Sequence, residues 1–219
     1  MKTTLKTLFA LAACAAVLGP VAVDAQPAKG RAAATALSAE DKALVDKAAA
    51  YLQGLAAAKG EFVQTDGRGR TLRGTFYLQR PGKARFEYAA PSGLLIVSDG
   101  SNVNVHDRRL KTFDRYPLGQ TPLSLFLARQ VRLDKGVRVD RVVRSSDGFS
   151  IHARDGKRQA EGSIIMTFAG NPMRLTEWTI TDAQGSRTRV QLTSLAPVSG
   201  LSADLFVLRD PNRRSRDRS

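Results

Sequence analysis

The chain has 219 residues, with 34 Lys and Arg against 20 Asp and Glu, a formal net charge of +14, two His and one Cys. One Cys excludes an intrachain disulfide or a thiolate metal cluster, and His106 and His152, far apart in sequence, leave little for a zinc site or a His-dependent hydrolase. With 42% hydrophobic and 25% charged residues there is material for one folded core, so the composition points to a basic, mostly β binding protein rather than an enzyme.

Residues 1–25 read as a secretory signal. Lys2 and Lys6 give a positive start, an apolar run extends to Val23, and Val23-Asp24-Ala25 places small residues for cleavage before Gln26. A membrane anchor is the alternative, but the run is short, Ala-rich and carries Pro20. Leu11-Ala12-Ala13-Cys14 also fits a lipobox, although the apolar run continues past Cys14, where a lipoprotein signal would end. Cleavage after Ala25 removes Lys2, Lys6 and Asp24, so +14 becomes +13, and it removes the only Cys, which suits an oxidising compartment. A basic surface there is expected to meet anionic head groups, lipopolysaccharide or acidic proteins rather than nucleic acid, and the alternative is that the excess charge is solvated surface plus a basic tail.

Residues 26–37, Ala-rich with Pro27 and Gly30, form a flexible leader. Ser38 then caps a helix with acids in its first turn, and Leu44, Val45, Ala48, Tyr51, Leu52 and Leu55 recur at three-to-four spacing. This predicts an amphipathic helix of about 20 residues ending at Gly60. The period then switches to two. Phe62 and Gln64 open a strand, Asp66-Gly67-Arg68-Gly69 turns it, and Leu72, Gly74, Phe76 and Leu78 share the face of the next strand. Pro81-Gly82 leads into Ala84, Phe86 and Tyr88.

Further strands are predicted at 94–98, 102–107, 111–115, 137–144, 149–153, 163–168, 173–181, 187–193 and 206–208. The pairs Asp99-Gly100, Asp147-Gly148, Asp155-Gly156 and Asn171-Pro172 turn the chain between them. Thr121 to Ala128 interrupts the rhythm as a short, nearly all-apolar helix with Thr121 as N-cap and Pro122 at its first position. The tail from Arg209 holds five Arg and two Asp without periodicity, so 211–219 is expected to be a disordered basic tail. The assembly these elements predict is mainly β: a curved antiparallel sheet, or incomplete β-barrel, with a helical lid. It leaves open whether the two helices fill the interior or cover an apolar cavity.

Gly60-Glu61-Phe62-Val63-Gln64, Gly74-Thr75-Phe76-Tyr77-Leu78-Gln79-Arg80-Pro81-Gly82, Arg85-Phe86-Glu87-Tyr88 with Pro91, Leu95 to Gly100, and Thr121-Pro122-Leu123 follow in the order and spacing of a known family. The sequence resembles the outer-membrane lipoprotein carrier family, LolA, over about residues 40–210. No single motif is specific, but their order and spacing together are. The resemblance implies one carrier domain over 38–210 and a periplasmic, non-enzymatic, chaperone-like carrier without cofactor or metal. It shields the acyl chains of lipoproteins and moves them from inner to outer membrane. Its implied partners are acylated lipoproteins, an inner-membrane lipoprotein-releasing transporter and an outer-membrane acceptor, and it is expected to act as a monomer. A carrier or sensor on the same fold with different cargo is the alternative, and a basic adaptor without acyl cargo is a third.

The resemblance also implies that Arg80 latches the lid by hydrogen bonds to helix backbone; without it, a solvated Arg beside a turn is the simpler reading. Candidate cavity-wall residues are Phe62, Leu72, Phe76, Leu78, Phe86 and Tyr88 from the strands, and Leu123, Leu125, Phe126 and Leu127 from the short helix. Basic clusters stand at Arg108-Arg109-Lys111, at Arg129, Arg132 and Lys135, and at Arg187 and Arg189, which alternation places away from the apolar face. No dinucleotide loop, nucleophile elbow or HExxH is present: Leu72 stands where Gly67-Arg68-Gly69 would need its third Gly.

Overall fold

The computed structural model describes residues 37–121, 123–131, 133, 137–155 and 162–211. The signal segment, most of the leader, Cys14, Pro122, Arg132, Lys135, Gly156 and the tail beyond Pro211 lie outside the described residues, as do the side chains of Leu125 and Asp155.

Helix α1 spans Ala39–Gly54, and the Ser38 hydroxyl accepts the Asp41 N–H at its start. It ends six residues before the Gly60 that the sequence suggested as its stop. Gly60 instead lies inside strand β1 (Ala57–Asp66), because a Cβ there would stand 2.2 Å from Ser194 O and 2.5 Å from the Phe76 ring. The glycine serves close packing and not helix termination.

Strands β2 (Thr71–Gln79), β3 (Lys83–Tyr88), β4 (Leu94–Asp99), β5 (Asn102–Asp107) and β6 (Thr112–Pro117) follow as a meander. A 3-10 turn, Leu118–Gln120, leads to α2 (Leu123–Leu127). Strands β7 (Val137–Ser145), β8 (Gly148–Asp155), β9 (Ser163–Ala169), β10 (Arg174–Thr181) and β11 (Arg187–Pro197) form a second meander. Pairing of β1 with β11 fuses the two into one antiparallel sheet of order β6-β5-β4-β3-β2-β1-β11-β10-β9-β8-β7. β6 and β7 do not pair, so the barrel is incomplete.

The sheet is strongly curled. β3 and β10 are four places apart in it, which in a flat sheet is about 19 Å. Yet the rings of Phe86 and Trp178 are 6.4 Å apart. One apolar cluster therefore takes the inner face of both meanders, with Val45, Ala48 and Leu52 of α1 and Leu127 of α2 packed into it.

The Thr121 hydroxyl donates back to Leu118 O at 2.8 Å, completing the preceding 3-10 turn, while the Thr121 carbonyl accepts Ser124 N at 3.0 Å at the start of α2. One expectation is corrected. Phe206 to Leu208 is not a strand. Ala203–Phe206 is a 3-10 turn started by the Ser202 hydroxyl, and it lays Phe206, 2% exposed, against Leu95 and Val97 on the outer face of the sheet. This outer strap explains why β4 is a continuous apolar run: both of its faces are covered.

Candidate functional site

Successive antiparallel strands bring the β2–β3 and β4–β5 turns to one end of the sheet, where α1 ends and α2 lies. The turn Arg80-Pro81-Gly82 ties the helices there. Arg80 N donates to Ala56 O at 2.8 Å, and Gly82 N donates to Leu127 O of α2 at 2.8 Å. The Arg80 guanidinium donates through Nη1 to Leu52 O in the last turn of α1 and lies 5.3 Å from the centre of the Phe126 ring. Gln53 adds a direct link between α1 and the segment after α2: Nε2 donates to Arg129 O at 3.1 Å and Oε1 accepts Val131 N at 2.9 Å. The Arg80 side chain thus contacts both helices.

The position is costly for a cation. Arg80 Nε and Nη2 are buried and have no hydrogen-bond partner among the described residues. Burial pushes the guanidinium pKa down to about 10. A group held with two buried donors unpaired favours any state that hydrates it.

Of the candidate wall residues, Phe62, Phe76, Leu78, Phe86, Tyr88 and Leu127 are buried in the inner cluster, and Leu72, Leu123 and Phe126 pack against it half-buried. Their rings interlock: Phe62 meets Phe86 at 5.7 Å and Tyr88 at 5.1 Å, and Phe126 meets Trp178 at 5.8 Å. Buried Tyr88, its pKa raised by burial, donates to Gln64 Oε1 at 2.7 Å, so the one polar pair in this wall is satisfied.

The interior is closed in this conformation. The void beneath the helices, lined by Leu52, Phe126, Leu133 and Met166 among others, measures about 10 Å³, at the lower limit for one water. A larger groove of about 480 Å³ lies outside, between α2 and the turns at Gly82 and Gly100.

Sequence reading missed Trp178, Gln64 and Gln53. Trp178 faces inward, but a bulge between Leu175 and Glu177 breaks the alternation that would have revealed it. Gln53 carries no local signal, because both of its partners are more than 75 residues away.

An open antiparallel sheet whose apolar face is covered by two helices defines a binding or carrier fold. Comparison with known proteins makes the class specific. The family profile "Outer membrane lipoprotein carrier protein LolA" matches residues 53–209. Proteins named outer-membrane lipoprotein carrier protein are similar: that of Methylibium petroleiphilum is 29% identical, covering 76% of this chain and 85% of its own. That of Chromobacterium violaceum is 27% identical, covering 94% and 96%. Among solved structures, a DUF1329 family protein from Desulfovibrio piger aligns with a TM-score of 0.50 at 11% identity, covering 76% of this chain and 96% of its own. A LolA superfamily protein from Nitrosomonas europaea aligns at 0.41 and 9% identity, covering 73% and 97%. The chain belongs to the outer-membrane lipoprotein carrier family, LolA. No helix among the described residues is long and apolar enough to cross a membrane.

Proposed function

We propose that this protein carries lipoproteins across the periplasm, from an inner-membrane releasing transporter to an outer-membrane acceptor, by hiding their acyl chains under α1 and α2. The observation that carries the reading is an apolar interior covered by two helices, which Arg80, Gly82 and Gln53 hold down. Family membership supports the role, and the geometry suggests how it works.

The void beneath the helices is too small for an acyl chain, so loading there requires the helices to lift. Lifting breaks Arg80 to Leu52, Gly82 to Leu127 and the Gln53 links, each worth about 1 kcal/mol, more for the charged one. A chain of about fifteen methylenes repays this at about 0.8 kcal/mol each, on the order of 12 kcal/mol. Opening also hydrates the two unpaired Arg80 donors. The closed and open states thus lie within reach of one another, and cargo selects the open one. Release needs an acceptor that offers the chains equal burial, and re-formation of the Arg80 latch then helps to close the emptied interior. No bond is made or broken in cargo or carrier.

The test is to purify the protein without detergent from a periplasmic extract and identify co-purifying acylated proteins by mass spectrometry. The reading predicts lipoproteins with intact acyl chains. Recovery of another lipid class alone would favour a same-fold carrier or sensor with different cargo, and recovery of none would overturn the carrier reading.

A further inference from the structure

The end of the sheet opposite the latch has chemistry of its own. The β1–β2, β3–β4 and β5–β6 connections all fall there. Arg68 and Arg70 stand on the first, Arg108, Arg109 and Lys111 on the last, and all five are exposed. The middle connection joins them: Arg108 N donates to Gly93 O at 3.2 Å. Only two acids belong to these basic turns, and both are engaged as caps. Asp66 accepts the N–H groups of Arg68 and Arg70 at 2.9 Å and Arg70 Nε at 2.7 Å. Asp107 accepts Leu110 N at 2.9 Å. Five bases against two acids leave +3 over 66–70 and 107–111.

At the apex of the β5–β6 turn Leu110 is 37% exposed, one of few large apolar side chains so placed. Next to it, Lys111 holds φ 54°, the one non-glycine residue with positive φ among the described residues. Such a conformation persists where its surroundings impose it. Here the Asp107 cap and the left-handed Lys111 present a leucine among three cations.

We propose that this end of the sheet docks on anionic lipid surfaces, with Arg108, Arg109 and Lys111 on head-group phosphates and Leu110 in the interface. Cations near an anionic leaflet add attraction residue by residue, and an apolar tip inserts where head groups meet acyl chains. An acidic protein would answer the charges but not the exposed leucine. Docking by this end leaves Arg80 and both helices at the far end, clear of the surface. The inference does not rest on the carrier reading.

The full mature chain is sedimented with phosphatidylcholine vesicles with and without phosphatidylglycerol. It should bind the anionic vesicles only, and less as salt shortens the Debye length to below about 8 Å. An Arg108→Glu, Arg109→Glu variant should lower partition at least about tenfold. Lys111→Gly suits the positive φ, so it should keep or raise the unfolding temperature while weakening binding, which separates a docking role from a folding defect. Equal binding to neutral vesicles, wild-type binding by the charge-reversed variant, or no vesicle binding at all overturns the proposal; the last outcome would point to an acidic protein. Loss of binding on deleting residues 212–219, with the turn variants unaffected, would place the contact on the tail and also overturn it.

Discussion

Replacing Arg80 with leucine should leave the fold nearly as stable as before and make the carrier hold its cargo too tightly. The closed state loses one charged hydrogen bond to Leu52 O, about 1.5–3 kcal/mol, and a cation–π contact with Phe126, about 0.5–2 kcal/mol. It also sheds the cost of a buried guanidinium whose pKa has fallen to about 10, a few kcal/mol at roughly 1.4 kcal/mol per unit. Leu52 O is not orphaned, since Leu55 N donates to it at 3.2 Å. These contributions oppose one another and leave a difference of no more than about 2 kcal/mol, a shift in unfolding temperature of several degrees. With cargo bound, by contrast, a leucine adds apolar wall worth about 1.5–3 kcal/mol where the arginine offered a charge. Release should slow about tenfold to a hundredfold. The assay is transfer of a fluorescent triacylated lipopeptide from purified protein to acceptor vesicles, alongside a thermal melt. Unchanged release, or a fall of more than about 10 °C in the melt, would refute the reasoning: the first removes the latch, the second makes Arg80 a structural residue.

Gly74→Ala would put a Cβ 2.4 Å from Glu87 O and 2.7 Å from the Phe62 ring, so a urea titration should show about 1–3 kcal/mol of destabilisation; no change would mean that β2 and β3 have room to part. Burial raises the Asp99 pKa, but the N–H groups of Asn102 and Ser101, the Asn104 amide and the Arg115 charge outweigh it and hold the carboxyl below its usual range. Its stabilising effect is therefore present above about pH 4 and lost as pH falls through the lower folded value, so Asp99→Asn should flatten the acid limb of a stability–pH curve, and an unaltered limb counts against the turn network. Delivery should slow with added salt while bound cargo does not change, because exposed Arg187 and the basic turns act through solvent and acyl burial does not. A delivery rate flat from low to moderate salt would reduce the positive charge to a solubilising surface.

The legible parts of the sequence were those with local causes. Ser38 with its following acids and the three-to-four spacing give α1 its start and buried face, and Asp99-Gly100 and Asp147-Gly148 mark hairpins. The alternation of Phe62, Phe76, Leu78 and Phe86 placed one face of the sheet inside. What could not be read depends on distant partners. Gly60 looks like a helix stop until Ser194 and Phe76 are seen against it. Phe206 to Leu208 has the composition of a strand, but it lies across the outer face of β4, where no ladder position is free, and packs as a strap. Arg80 ends a strand like many solvated arginines. Its acceptor is a backbone carbonyl 28 residues earlier, and carbonyls leave no trace in sequence. The closed interior was equally illegible, since apolar residues at the same positions could wall a cavity or fill one.

The most direct test of the account is native mass spectrometry of the mature protein with a triacylated lipopeptide and with the same peptide unacylated, both below the concentration at which the lipopeptide forms micelles. Opening of a filled interior by acyl chains predicts a one-to-one complex with the acylated peptide and none with the bare one. Equal binding of both peptides, or no complex with either, would contradict it.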